Sequence, residues 1–523
     1  VENGSLALVN GRIRTMDAIR PQAEAALVLN GRIVLVGSND EINAATGGAI
    51  PTFDCGGRTV MPGFIDGHAH FEMTCLALTE CLSLTTPPYN SLASLADAIR
   101  ARADVTPDGE WIQVRCSFNL YARTEEGRLF TRQELDAISM VHPIAIHSSL
   151  HVSMLNTLAI KELGLWDGEP PKGTVVHRAE DGTPTGVMTE VWDMLPAFSR
   201  EKATQAIRAK SHDLFIANGV TTIHNLPYSE NDMLAVQDLQ ELNELPIRFR
   251  MYPQVGHQID LDGLLAMGLK PGFGNDWFRF GGVKIFVDGV VHDGYGNRVY
   301  DLKWDEQELI EFICRVHAAG QQLWMHVCSQ PAIRLICDGI EEALRRHPAP
   351  HRHRIEHSAD YLIDDEDIDR VERLGILTIT TPAFIYAQGD VLALPGSQRW
   401  PRRFRLRTLA DRGFPIVGCS DSTGSIPDGI APLWNIACAV TRRTLGGNTY
   451  VPEEALTVEQ AFKLFGAWPA YATFEEHSKG SITAGKLGDF VILSDDPFAI
   501  EPEALYDLKV EATITGGRVV HGE

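Results

Sequence analysis

Val60-Met61-Pro62-Gly63-Phe64-Ile65-Asp66-Gly67-His68-Ala69-His70 opens as an apolar run and ends in two histidines separated by one residue. The run Val60–Ile65 reads as a buried β-strand, and alternate strand residues point the same way, so His68 and His70 reach one cation together. Comparable runs recur downstream at Val220–His224, Ile247–Tyr252, Gly282–Val287, Gln322–His326, His353–His357, Leu377–Thr381 and Pro415–Cys419. Helical patterns lie between several of them, for example Asp305–Ala319 and Gln330–Arg346. Eight strands, each followed by helical sequence, specify an α/β chain folded as a (β/α)8 TIM-type barrel.

The ends of those strands carry the chemistry. The first ends in His68 and His70, the fourth carries Lys284, the fifth ends in His326, the sixth in His357, and the eighth runs into Asp421. A barrel gathers the C-terminal ends of its strands at one mouth, where barrel enzymes place their active sites. One His-Ala-His pair is weak evidence; metal-competent side chains at the ends of several separate strands point to a metal centre.

The flanks complete the plan. Residues 5–36 read as short strands broken at Asn10-Gly11 and Asn30-Gly31, the positive-φ pairs of type I′ hairpins. Phe490-Val491-Ile492-Leu493 and Ala512-Thr513-Ile514-Thr515, with Gly516-Gly517, repeat that pattern. Neither end has strands enough to bury a face alone, so one small β-sandwich built from both termini is expected, from 1–58 plus 478–523. The barrel then spans 59–477. The gap after its first strand is too long for a single helix, so 75–205 forms an insertion subdomain over the mouth. The acidic stretch Ile363–Asp369 reads as a solvated helix start.

The motifs together resemble the amidohydrolase superfamily. The opening stretch matches its entry motif. Val283-Lys284-Ile285-Phe286-Val287-Asp288-Gly289, Arg354-Ile355-Glu356-His357, Ser420-Asp421 and the tail Gly480–Phe490 are similar to its YtcJ-like branch, amidohydrolase family 3. The resemblance implies a binuclear site. His68, His70 and Asp421 would hold one ion and His326 and His357 the other, with Lys284 bridging both once carboxylated by CO2. Imidazole and carboxylate ligands favour Zn2+, with Mn2+ or Fe2+ as substitutes, one or two per chain. A metal-activated hydroxide would attack a carbonyl–nitrogen bond, with Asp421 as catalytic proton shuttle. Asp66 and Glu356, beside ligands, would orient them. His224 and His292 are further candidates for substrate contact.

Two loops depart from the branch. His326 is followed by Val327-Cys328-Ser329-Gln330 where a Gly-Asp pair is expected, and Asp288-Gly289 by Val290-Val291-His292-Asp293-Gly294-Tyr295-Gly296. A mononuclear zinc deaminase of nitrogen heterocycles is the alternative enzyme. It would carry a glutamate three residues after the fifth-strand histidine, where this chain has Ser329, and would have no use for Lys284. A catalytically silent metal-binding scaffold would be expected to drop ligands, and here every one is present.

Composition bounds the partners. The 523 residues are 44% hydrophobic and 22% charged, as in a globular enzyme, and the formal charge is −23. That field disfavours nucleic acid, and no run of 18 apolar residues calls for a membrane. Nine cysteines without a CxxC pair read as buried free thiols of a reducing, cytoplasmic setting. The first residue is Val1 with no signal-like segment after it, which is compatible with removal of a preceding piece. The expected substrate is a small, largely apolar amide, formamide or cyclic amide, and the expected assembly a homo-oligomer, for example a dimer. Trp111, Phe118, Tyr121, His147 and Trp192 are lid candidates, and Arg115 or Arg123 offers a cation for one carboxylate.

Overall fold

In the computed structural model, which describes residues 4–117, 120–148, 151–256, 259–292, 298–393, 403–422 and 427–522, the opening stretch divides between two sheets. Thr59–Pro62 pairs with the chain termini, whereas Phe64–Ala69 is the first barrel strand. The expected strand Val60–Ile65 therefore straddles a boundary. Its cause is Gly63, whose N–H turns to Asp489 O (2.9 Å) while that of Phe64 goes to Gly219 O (3.0 Å). A Cβ at Gly63 would lie 2.5 Å from Thr221 Oγ1, so only glycine passes between the layers.

The termini form two sheets. One is four-stranded, in the order Arg32–Gly37, Ala25–Leu29, Leu6–Val9, Thr52–Asp54. The other is six-stranded: Arg518–His521, Val510–Thr515, Phe490–Leu493, Thr59–Pro62, Arg12–Arg14, Gln22–Ala23. Leu8, Val28, Val60, Phe490, Ile492 and Ile514 bury one shared core. Asn30-Gly31 makes the expected hairpin, with φ of 49° and 78°. Asn10-Gly11 does not. Leu6–Val9 stays in the first sheet, and the chain crosses at Gly11 into the second.

The middle of the chain is an α/β barrel-like fold in two parallel arcs. One arc runs Phe278–Phe280, Arg248–Met251, Val220–Asn225, Phe64–Ala69; the other runs Val283–Phe286, Leu323–His326, Arg354–Glu356, Leu377–Thr380, Ile416–Gly418. Phe278–Phe280 was not expected as a strand, because Gly281-Gly282 separates it from Val283–Phe286. A parallel bridge between Gln254 and Lys284 joins the arcs on one side. On the other, Asp421 N–H donates to His68 O (3.0 Å), and among the described residues no continuous ladder closes the ring.

Alternation places the side chains. Leu323 and Met325 join Ile313, Ile333, Ile336 and Ile340 of the outer helices, Glu306–Ala318 and Gln330–Arg346. Trp324 faces inward instead, stacked 3.6 Å from Tyr252 and beneath the Arg354 guanidinium at 3.4 Å. Toward the floor, Arg248 makes two 2.8 Å bonds to Asp489, and Arg250 pairs with Glu475 at 2.5 and 2.6 Å. The barrel interior is thus filled by aromatic and paired charged groups below, leaving the ligand layer above.

Between the first two strands of the barrel lies a separate six-stranded mixed sheet: Val175–Arg178, Pro184–Thr189, Val152–Leu155, Ile144–His147, Ile112–Cys116, Leu82–Leu84. It buries its own core around Leu95, Ile99, Val114 and Ile146. The following helix, Arg200–Leu214, already packs with barrel residues, Ala203, Ala206 and Ile207 against Phe71 and Phe215. Asp365–Arg373 is the helix expected at the acidic stretch. All nine cysteines are free, and all but the half-buried Cys116 are buried. No described helix is long and apolar enough to cross a membrane.

Candidate metal centre

Four strand ends bring the candidate histidines and Asp421 together. His68 and His70 end the first strand with ring centroids 5.2 Å apart; His68 and His357 are also 5.2 Å apart, and His357 and His326 4.9 Å. Asp421 Oδ1 lies 3.1 Å from His70 Nε2 and 3.7 Å from His68 Nε2. His357 and Asp421 both adopt left-handed backbone, φ 62° and 45°. Such conformations cost a non-glycine residue about 1–3 kcal/mol and persist only where the surrounding structure holds them.

Each histidine is fixed from behind. His68 Nδ1 bonds Glu356 Oε2 at 2.5 Å, and Glu356 is gripped by Arg354 Nε and Nη2, both at 2.9 Å. Arg354 also donates to Gly67 O (2.8 Å), tying the clamp to the strand that bears the ligands. His70 Nδ1 meets Tyr228 Oη at 2.5 Å, with the rings stacked 8° from parallel. Partners on Nδ1 leave Nε2 of both rings aimed inward, the arrangement that orients metal-binding imidazoles. Asp66 Oδ1 accepts from Ser420 N (3.0 Å) and His68 N (3.3 Å), so it too holds the ligand backbone.

Several inward atoms have no protein partner. His68 Nε2, His357 Nδ1 and Lys284 Nζ are buried without a hydrogen bond. A buried, unmatched acceptor costs about 1–3 kcal/mol, which a cation would offset at the two imidazole nitrogens, while Lys284 would join it only as a neutral amine or carbamate. The residues fit a metal. Burial pushes the Lys284 amine down to about 8, with Glu356 and Asp421 opposing, and Phe286 covers it at 4.6 Å. Burial drives His68 and His326 well below the usual imidazole range, and Lys284 adds to it, so both rings are neutral and ligand-ready. Burial would raise Asp421, but the His70 hydrogen bond and the nearby His357 outweigh it and leave the carboxyl at about 2.

The grouping differs from the one the resemblance implies. His68, His357 and Asp421 form one compact triad of ligand atoms, with His70 attached through Asp421. His326 instead groups with Cys328 and His151, which the sequence reading did not select. His151 comes from the insertion. Its Nδ1 bonds Glu190 Oε1 (2.5 Å), whose other oxygen meets Lys303 Nζ at 2.5 Å. Burial would lower His151, but Glu190 overrides it and raises the ring to about 10. One signal was present: His326-Val327-Cys328 repeats the spacing of His68-Ala69-His70.

Other candidates fall elsewhere. His224 lies beneath the ligands, its Nδ1 3.2 Å from Arg354 Nη1 and its ring beside Trp324, fully buried. His292 ends the Asp288–His292 strand, but its side chain lies outside the described residues, as does Phe118 altogether. Trp111 packs in the insertion's own core, and His147 bonds Ser153 Oγ there at 2.8 Å. Tyr121 sits on the short turn Leu120–Ala122, and Arg123 follows it, half-buried. Trp192 does face the barrel, 4.4 Å from Tyr228 and 5.6 Å from Phe286. A cleft of about 780 Å3, its open mouth included, lies beside this aromatic group. Met73, Leu76, Leu195 and Phe198 line it, with Arg115 and Gln113 as polar points.

Residues 51–521 match the model of the amidohydrolase family. The N-substituted formamide deformylase of Arthrobacter pascens is 26% identical over 98% of this chain and 97% of its own. The YtcJ protein of Bacillus subtilis (strain 168), described as an amidohydrolase, is also 26% identical, over 98% of each. Among solved structures, a metal-dependent hydrolase from Pyrococcus horikoshii OT3 superposes with a TM-score of 0.73 at 22% identity, covering 95% of this chain and 99% of that one. Taken with strand ends that converge on one ligand layer, these matches give the chain its place: it belongs to the amidohydrolase family.

Proposed function

We propose that the protein hydrolyses a carbon–nitrogen bond in a small, largely apolar amide, formamide or cyclic amide. The observation that carries this reading is the set of unpartnered inward atoms, His68 Nε2, His357 Nδ1 and Lys284 Nζ, around Asp421. His68, His70, His326, His357 and Asp421 would hold the metal. A transition metal bound there acidifies water and polarises a carbonyl.

The chain's own groups supply the rest. Glu356 and Tyr228 hold the His68 and His70 rings in the tautomer that turns Nε2 inward. Asp421, kept ionised, takes the proton of the attacking water on its carboxylate and returns it to the departing nitrogen. Lys284 is buried enough to be partly neutral near pH 8, the form that adds CO2: the Nζ–C bond forms, one proton leaves, and the carbamate offers two hard oxygens. Trp192, Tyr228, Leu195 and Phe198 give an apolar wall for the substrate's nitrogen substituent or acyl group. The similarity to a formamide deformylase supports a small acyl group. Ser329, where a deaminase would carry its glutamate, caps Gln330–Arg346 and donates to Asp288 Oδ2 at 2.6 Å.

The test is a panel of N-substituted formamides, N-acyl amines, lactams, hydantoins and short peptides, ranked by kcat/KM on protein of known metal content. Small amides or formamides should lead. Turnover that survives complete metal removal, or peptides that outrank every small amide, would overturn the reading.

A further inference from the structure

We propose that His326, Cys328 and His151 form a thiolate-containing cation site, so that the second ion of this enzyme has a sulfur ligand and is held partly by the insertion. The inference rests on the proposed metal function in one respect, that His326 faces a cation. Cys328 and His151 go beyond it.

Three observations converge. The ligand atoms of the three residues all lie within 4.8 Å of one another, and His326 Nε2 is already 3.2 Å from Cys328 Sγ. Tetrahedral zinc, with Zn–N near 2.0–2.1 Å and Zn–S near 2.3 Å, separates its ligand atoms by about 3.3–3.8 Å, so only small side-chain shifts are needed. Next, His151 is positioned like a ligand, and a cation would displace the ring proton that Glu190 stabilises when no ion is bound. Glu190 holds its Nδ1 at 2.5 Å as Glu356 holds His68 Nδ1 at 2.5 Å, and in both cases the carboxylate is itself neutralised, by Lys303 and by Arg354. Finally, the loop bearing Cys328 is pinned. The buried Asp288 accepts from Cys328 N (2.7 Å) and from Ser329 Oγ (2.6 Å), which fixes where the thiol points.

The ligands come from three segments: a strand end, the loop after it, and the insertion. Two imidazoles and one thiolate suit zinc and disfavour magnesium or manganese. Three side chains leave a fourth position for a Lys284 carbamate oxygen or a water. A cation here links the insertion directly to the barrel, which no strand pairing between the two does among the described residues.

The experiment is cobalt substitution of the full-length protein, with zinc X-ray absorption alongside. Two equivalents of Co2+ should bind, and the second should bring a thiolate-to-cobalt charge-transfer band in the near ultraviolet. The zinc form should show a sulfur neighbour at about 2.3 Å. Cys328→Ser should abolish the band and keep the first equivalent, and His151→Gln should weaken the second by about 10-fold or more. Cys419→Ala, which removes the other thiol near Asp421, should leave the band intact. Two bound ions without any sulfur signal in the wild type would overturn this inference and leave the proposed function standing. A protein that binds no cation would overturn both. The wild-type spectra decide alone, so a variant that fails to fold does not blunt the test.

Discussion

The two ends of the barrel each hold a cluster of buried histidines, and they are wired in opposite ways. At the floor, His317, His351 and His353 satisfy one another and the backbone. His353 Nδ1 accepts from Leu323 N (3.1 Å), its Nε2 meets His317 Nδ1 (2.9 Å), and His317 Nε2 donates to His347 O (2.8 Å). At the mouth, His68 and His357 each keep a buried nitrogen with no protein partner. Residue type is the same in both places, and burial nearly so, with only His351 half-buried. What marks a ligand is a ring fixed on one nitrogen and left open on the other. The floor cluster is structural because nothing in it is left over.

The contrast can be broken in order of expected effect. Asp421→Asn retains a ligating oxygen but cannot take a proton at neutral pH. Its kcat should fall by ~10²–10⁴-fold while most metal stays bound. Near-normal kcat would move the proton carrier elsewhere at the mouth.

Next comes the support behind a ligand. Tyr228→Phe removes the 2.5 Å contact to His70 Nδ1 but keeps the stacked ring. Metal affinity, measured by competition with a chelator, should drop ~10–100-fold. Unchanged affinity would mean that packing alone orients His70. At the floor the signs reverse. His353→Leu strands Leu323 N–H and His317 Nδ1, and should cost about 1–3 kcal/mol in urea unfolding with kcat unchanged. A loss of metal in this variant would dissolve the distinction between the clusters.

The smallest effect concerns pH. Burial, with His317 beside it, lowers His351 from 6.5 to about 4. Between those values the unfolded chain binds a proton that the folded one does not, so stability falls as pH drops from about 6.5 to about 4. His351→Gln should flatten that limb of a Tm–pH curve. An unchanged slope would show that His351 is already protonated in the fold.

The strand ends were legible because buried parallel strands are continuous apolar runs, and Leu323–His326 or Phe490–Leu493 fall within a residue of where the runs place them. Misreadings occurred where one residue changes the layer. Gly63 hands Thr59–Pro62 to the terminal sheet, and Gly11 turns an apparent hairpin into a crossing. His68, His70, His326, His357 and Asp421 could be named because each sits at or just past a strand end, and Lys284 because it lies within the fourth strand. His151 could not. It arrives from the insertion, separated from His326 by most of the barrel's first half, and no local pattern says which loop will reach the mouth. Tyr228 and Glu190 were missed for the same reason: their chemistry consists of what they touch.

The sheet shared by the termini has a consequence for synthesis. Thr59–Pro62 is flanked by Arg12–Arg14 on one side and Phe490–Leu493 on the other, so its second edge has no partner until residue 490 has been made. At about 5–20 residues per second, the nascent chain carries that open edge for roughly 20–90 seconds. Asp421 is also late, so the early His68-Ala69-His70 pair waits for its carboxylate through most of translation. A ribosome that stalls before residue 490 releases a chain with an unpaired β-edge, a template for aggregation. The terminal sheet therefore closes only once Phe490–Leu493 has been made.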